Sequence, residues 1–144
     1  LGLGLYGVNP FTNKMLHNVS TLKTTILQIR EVPQEDTVGY SRKGRLERNS
    51  RIAIIPIGYA DGLNRRLGNG NAYCLVNGQK APYVGNICMD VCMIDVTDIE
   101  CNEGDTVEIF GNELPPAQLA EWLETIPYEI LTAVSGRVKR IYYL

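Results

Sequence analysis

The chain has 144 residues, 44% hydrophobic and 21% charged, with a formal net charge of −2 at pH 7. That balance fits one globular domain with a real core. It weighs against a basic nucleic-acid-binding surface, and no apolar run approaches the roughly 20 residues that a membrane-crossing helix needs. No signal-peptide pattern is present. The cysteines, Cys74, Cys88, Cys92 and Cys101, form no C-x-x-C pair, and the single histidine, His17, is far from them in sequence. A zinc site is therefore disfavoured, and reduced, buried thiols in a cytoplasmic protein are expected. The chain starts LGLGLYGV, without a methionine, and reads as a piece of something longer.

Residues 1–8 interleave glycine with leucine and tyrosine and read as a short strand closely approached by another segment. Residues 9–18 contain Pro10 and read as a linker. Residues 21–32 carry Leu22, Ile26, Leu27 and Ile29 among threonines and read as one strand, which Pro33 ends. A polar stretch then leads through Val38, Gly39 and Tyr40 to a basic loop at 42–45. Residues 51–62, RIAIIPIGYADG, are the most strongly patterned stretch. Their β-branched isoleucines suit a strand covered on both faces. The pattern stops at Gly58, and Tyr59 and Asp61 are delivered to the end of that strand, a common way to build a site. A plain Asp-Gly turn is the alternative reading.

Residues 63–67 suit one helical turn, and Gly68-Asn69-Gly70-Asn71 is a turn. Asn77-Gly78 between strand-like runs at 72–76 and 79–84 is a strong hairpin signal. Residues 85–96, GNICMDVCMIDV, read as a further strand with Asp90 and Asp95 inserted; Asp95 and Asp98 read as solvated. Gly104-Asp105 turns into a strand at 106–110. The period then changes. Leu119, Trp122, Leu123 and Ile126 follow Pro115-Pro116 at helical spacing. Residues 128–134 suggest a second helix, and 138–143 a last strand. Short strands separated by turn residues predict a mainly β fold: a Greek-key-like β-barrel with one or two short helices near the C-terminus.

Four stretches carry a family resemblance: VGYS at 38–41, IPIGYADG at 55–62, VGNICMD at 84–90 and YEILTAVSGRVKRIYY at 128–143. Together they resemble the C-terminal β domain of the alanine racemases, fold-type III pyridoxal-phosphate enzymes. The likeness covers essentially the whole chain, and IGYADG with ICMD at this separation is its specific part. It implies a preceding (β/α)8 barrel that binds the cofactor and carries the lysine joined to it. None of Lys14, Lys23, Lys43, Lys80 or Lys139 matches that lysine. Residues 1–12 would be a remnant of the last barrel strand and a linker, and 13–144 the β domain. The resemblance further implies a head-to-tail homodimer in which each β domain closes its neighbour's active site. The implied reaction interconverts L-alanine and D-alanine and supplies D-alanine for peptidoglycan.

Racemisation removes a proton from Cα on one face and returns one on the other. Pyridoxal phosphate makes that proton removable by accepting the electrons, and two bases then serve the two faces. The missing lysine is one. Tyr40 matches the family's tyrosine on the other face. A free phenol ionises at about pH 10, so a tyrosine base needs cations or hydrogen bonds nearby, which in the family come from the other subunit. The resemblance also assigns cofactor-phosphate contacts to the main chain of Gly2 and Leu3, the substrate entrance to Tyr59 and Asp90, and receipt of the substrate carboxylate to the Met89 N–H. Taken by residue type alone, Tyr40 is a strand tyrosine, Met89 a core methionine, and Asp61 a turn residue rather than a catalytic acid.

Two positions depart from the family pattern. Gly136 stands where many members have a phosphate-holding tyrosine, and Asn86 where they have an arginine. The first removes a hydroxyl contact worth about 1 kcal/mol; the second removes a positive charge from the entrance. A racemase for serine or another small amino acid, and a non-catalytic β-barrel module, are the competing expectations. A nucleic-acid-binding barrel is disfavoured by the acid-leaning charge.

Overall fold

The computed structural model describes residues 2–9, 11–12 and 16–143. The expected domain boundary at Asn13, and Lys14, lie outside them. Among the described residues nine strands form: β1 (Leu22–Thr25), β2 (Gln28–Val32), β3 (Thr37–Val38), β4 (Gly44–Arg45), β5 (Ser50–Ile55), β6 (Tyr73–Val76), β7 (Gln79–Val84), β8 (Cys92–Asp95) and β9 (Thr106–Phe110). Two helices follow, α1 (Pro116–Leu123) and α2 (Pro127–Ala133). The mainly β architecture with two short C-terminal helices is as the sequence implied.

Seven strands make one antiparallel sheet in the order β1-β9-β6-β7-β8-β5-β2, and β3 and β4 pair separately. The two ends of that order are consecutive in the chain. A flat sheet of seven strands would set its outer strands about 29 Å apart. Thr25 and Gln28 are joined by a segment that reaches about 11 Å at most. The sheet must therefore curl until β1 and β2 come within that reach, and it forms a half-barrel. Residues 21–32 are accordingly not one strand. At the corner the Ile26 N–H donates to the Asp105 carbonyl on one side, and the Leu27 N–H to the Ile54 carbonyl on the other. β6, β7 and β8 run as a meander and β5 returns beside β8, which is the Greek-key order.

The hairpin signal at Asn77-Gly78 is realised, with both residues at positive φ (50° and 74°) between β6 and β7. The inner face of the barrel holds Ala53, Ile55, Cys74, Val76, Tyr83 and Ile94, among others. Burial pushes the Cys74 thiol up to about 12 and raises those of Cys92 and Cys101. These thiols behave as apolar core groups. β5 is covered on both faces, as its composition suggests: Ala53 and Ile55 face the core, while Ile52 packs outside with Val38 and Met93. The helices close one end of the barrel, with Trp122 of α1 edge-on to Tyr73 of β6 at 4.8 Å between ring centroids. Among the described residues no helix is long and apolar enough to cross a membrane.

Among the described residues two expected strands are absent and a third starts late. Gly2–Tyr6 is a 3-10 helix, not a strand: Gly2 and Gly7 have positive φ, and the Gly7 N–H turns back to the Gly4 carbonyl. Residues 85–91 are irregular, and the strand starts only at Cys92. Residues 138–143 have no regular structure, because Arg140 folds back and donates to the carbonyls of Val134, Ser135 and Val138. Residues 63–67 give a 3-10 turn at Arg65–Leu67, capped by the Asn64 side chain, which accepts from the Arg66 N–H.

Ile94 is fully buried at the centre of the sheet, between β5 and β7. Ile94→Ala is expected to destabilise the fold by about 2–5 kcal/mol in urea denaturation. A loss under about 1 kcal/mol would contradict a packed barrel interior.

Candidate functional site

The candidate site is assembled on the irregular connection between β7 and β8, residues 84–91. Its backbone has no strand partner here, so its polar groups find partners in loops from elsewhere in the chain. At its start, Gly85 crosses Gly44. A Cβ on Gly44 would lie 2.6 Å from the Val38 carbonyl oxygen and 3.1 Å from the Gly85 Cα. Only paired glycines let the loop after β3 lie this close. That loop carries Tyr40 at the head of a 3-10 turn, Tyr40–Arg42, with Ser41 and Arg42 in the left-handed region (φ 61° and 53°). Tyr40 is 73% exposed. It borders an open recess of about 470 Å³ whose apolar lining includes Val32, Val38, Ile52, Ile54, Cys88 and Met93. Tyr40 is therefore a loop residue rather than a strand tyrosine.

In the middle of the connection lies the turn that ends the β5 stretch. The Tyr59 N–H donates to the Cys88 carbonyl and the Ala60 N–H to the Met89 carbonyl, both at 3.0 Å. Gly58 is extended and pressed flat on this backbone; a Cβ there would sit 2.3 Å from the Met89 carbonyl oxygen. Met89 and Asp90 form the exposed tip. Among the described residues the Met89 N–H donates to no acceptor. Tyr59 is partly exposed, with the Arg65 guanidinium 5.9 Å from its ring centroid.

At its end, the connection is tied to the C-terminal segment. Arg137 donates from Nε to Asp61 and from Nη2 to Asp90, each at 2.7 Å. Asp61 is buried, and its other carboxylate oxygen accepts from the Gly58 N–H at 2.8 Å. Burial pushes the Asp61 carboxyl up, but hydrogen bonds from Arg137 and Gly58 and the guanidinium charge outweigh it. The group is held below the usual carboxylate range. Hydrogen bonds to Asp61 and then Asp90 raise the Arg137 pKa, so it stays charged. Asp61 is thus a turn residue, as expected, and also the buried end of an ion-pair bridge.

The structure brings Tyr40, Tyr59, Met89 and Asp90 onto one connection. Gly2 and Leu3 share no described hydrogen bond with these four. They open the 3-10 turn Gly2–Tyr6 beside α2, where the Tyr128 hydroxyl oxygen occupies the space a side chain at Gly2 would need, 2.3 Å from its Cβ position. The first N–H groups of such a turn have no acceptor within it, and a Cβ at Gly4 would meet nothing within 4 Å. Main-chain donors, a nearby hydroxyl and open space suit a phosphate group. Gly136, likewise, has open space where a Cβ would be.

Residues 19–142 match the family described as alanine racemase, C-terminal domain. The chain belongs to the alanine racemase C-terminal domain family. It is 45% identical, over 98% of its length, to alanine racemase 2 of Caldanaerobacter subterraneus subsp. tengcongensis, and spans 38% of that protein. The crystal structure of biosynthetic alanine racemase from Pseudomonas aeruginosa superposes with a TM-score of 0.92 at 34% identity, over 99% of this chain and 41% of that one. Alanine racemase from Bartonella henselae, solved with covalently bound pyridoxal phosphate, gives a TM-score of 0.92 at 39% identity, over 99% of this chain and 40% of that one. The chain thus spans about two fifths of the relatives it matches, and corresponds to the C-terminal part of alanine racemases.

Arg137 was not singled out as a site residue in the sequence. Its partner Asp61 is 76 positions away, and no local pattern marks such a pair. Because the Asp61 carboxyl is held below its usual range, its contribution to stability is fully present above the unfolded value, about pH 4. It is lost as pH falls through the lower, folded value. Asp61→Asn is expected to lower stability at pH 7 and to flatten the acid side of the stability profile. Denaturant titrations across pH 2–7 read both effects. An acid limb as steep as that of the unaltered protein would remove Asp61 from the bridge.

Proposed function

We propose that this chain is the C-terminal β domain of a pyridoxal-phosphate-dependent alanine racemase, acting as a head-to-tail homodimer in the cytoplasm. Residues 1–12 are the join to a preceding (β/α)8 barrel, and 13–144 are the domain. The observation that carries the reading is the convergence of the four family stretches on one short connection, with Tyr40 and the Met89–Asp90 tip exposed beside each other's loops.

Pyridoxal phosphate, when bound, supplies the electron sink that lets an amino acid lose its Cα proton. Within this chain, Tyr40 takes that proton on one face and returns it in the reverse direction, its hydroxyl oxygen being the base. The Met89 N–H holds the substrate carboxylate, which fixes the Cα position relative to Tyr40. Tyr59 and Asp90 frame the entrance and admit a small zwitterion. Gly2 and Leu3 hold the cofactor phosphate through main-chain N–H groups, and the Tyr128 hydroxyl stands where it can assist. The second base and the lysine that secures the cofactor come from the barrel, and the groups that favour a phenolate come from the neighbouring subunit. The product D-alanine serves peptidoglycan synthesis.

In the complete enzyme, Tyr40→Phe is expected to lower racemisation of alanine by at least about 100-fold. Near-normal turnover in a circular-dichroism assay would overturn the assignment. Turnover of serine exceeding that of alanine would redirect the reading to a racemase for another small amino acid. The isolated 144-residue chain is expected neither to racemise alanine nor to develop the visible absorbance of a lysine-bound pyridoxal cofactor.

A further inference from the structure

Tyr40 reaches the surface on a loop that does little to hold it. Its ring is mostly exposed, and the two residues after it are left-handed without being glycine. Such backbone persists only where neighbours over-determine it. One neighbour is Asn86, whose side-chain Nδ2 donates to the Tyr40 carbonyl at 3.2 Å. The orientation of that amide is itself fixed, because its Oδ1 accepts from Asn69 Nδ2 at 3.0 Å. Asn69 is fixed in turn, its N–H donating to the Gly85 carbonyl at 2.8 Å. The three residues form a one-directional chain of donors running from the Gly68–Asn71 turn, through the β7–β8 connection, to the main chain of the tyrosine.

We propose that Asn86, braced by Asn69, is a positioning residue for Tyr40, setting where the phenol stands relative to a substrate held at Met89. This rests on the reading of Tyr40 as a base. The pair works without charge. Asn86 presents both a donor and an acceptor, and the chain uses each once, so no isosteric residue substitutes for it. An aspartate would keep the acceptor for Asn69 but place a carboxylate against the Tyr40 carbonyl with no proton to share. An arginine would supply donors to Tyr40 but leave Asn69 without its acceptor. Asn69 is exposed and Asn86 half-buried, and the hydrogen bonds involved are exposed. Their loss therefore moves the loop without opening the core.

The test uses the complete racemase with Asn86→Asp, Asn86→Ala, Asn69→Ala and Tyr40→Phe, assayed with L-alanine and D-alanine, each protiated and α-deuterated. Asn86→Asp and Asn86→Ala are expected to lower kcat by about 10-fold with KM changed less than about twofold, as misplacement of a reacting group does. Asn69→Ala is expected to show the same pattern, more weakly. The α-deuterium isotope effect is expected to rise for the one enantiomer whose proton Tyr40 removes, and to stay unchanged for the other. Combining Asn86→Ala with Tyr40→Phe is expected to cost nothing beyond Tyr40→Phe alone. An Asn86→Asp enzyme indistinguishable from the unaltered one, beside an inactive Tyr40→Phe, overturns this inference and leaves the base assignment standing. Equal changes of isotope effect for both enantiomers, or a matching fall in Tm, also overturn it in favour of a purely structural role. An active Tyr40→Phe enzyme overturns the base assignment and this inference together.

Discussion

The structure depends on one segment that refuses to be a strand. Between Val84 and Cys92 the chain has the composition of a strand and none of the pairing. Gly85 enters it at a φ of 67°, which takes the backbone out of the sheet. From there its carbonyls face other loops. The Gly85 carbonyl takes the Asn69 N–H, that of Cys88 takes Tyr59, and that of Met89 takes Ala60. Each of these bonds satisfies a main-chain group that a ladder would otherwise have served. With the Asn86 bond to the Tyr40 carbonyl and the Asp90 bond from Arg137, the segment acts as a strip to which four separate parts of the chain are fastened. That is a physical reason for VGYS, IGYADG, ICMD and the arginine-bearing SGR to occur together. They are four sides of one joint.

The barrel holds the strip from both ends. β7 before it is paired on both sides, to β6 and β8, and β8 after it is paired to β7 and β5. The strand order sets β5 next to β8, so the turn that ends β5 falls on the strip. The apolar outer face of β5 and β8 then seats the β3–β4 pair, through Ile52, Met93 and Val38. Tyr40 follows Val38 by two residues. Its place is set by that outer cluster at one end and by the Gly44–Gly85 crossing at the other. A few apolar contacts on the outside of the barrel thus fix the origin of a loop whose own conformation is unfavourable.

Much of this is legible in the residues, and the remainder fails for identifiable reasons. The hairpin at Asn77-Gly78 and the two-sided burial of β5 follow from local chemistry. So do the start of α1 at its proline pair and the turn at Gly104-Asp105. The differences share a cause: strand-like composition does not guarantee a ladder. Residues 21–32 place apolar residues among threonines, yet the corner at Ile26–Leu27 hands the chain from one edge of the sheet to the other. Residues 85–91 are buried in part because loops cover them, not because strands flank them. Residues 138–143 carry Val138 and the run Ile141–Tyr142–Tyr143, which suit a strand, but the Arg140 side chain folds back to the Val134 carbonyl and no ladder forms there. The site roles expected of Tyr40, Met89 and Asp90 rest on the family resemblance, while Tyr59 also stands out locally at the end of the β5 stretch; residue type alone points to blander roles for Tyr40 and Met89. Arg137 was not found, because a residue that bridges Asp61 and Asp90 is defined by the fold and leaves no mark in local spacing.

The two braces on the strip differ in charge, and the difference suits their places. Arg137 lies between a buried carboxylate and an exposed one. There a cation is needed, since Asp61 would otherwise be an unpaired charge in a largely dry position. Asn86 lies beside Tyr40, the group read here as a base. There the partners are hydrogen-bonding groups and not charges: the Asn86 amide accepts from the Asn69 side chain and donates to the Tyr40 carbonyl. A neutral side chain with one donor and one acceptor meets both needs, whereas the Asp61 carboxylate needs a cation. The two braces thus follow the chemistry of the groups they join.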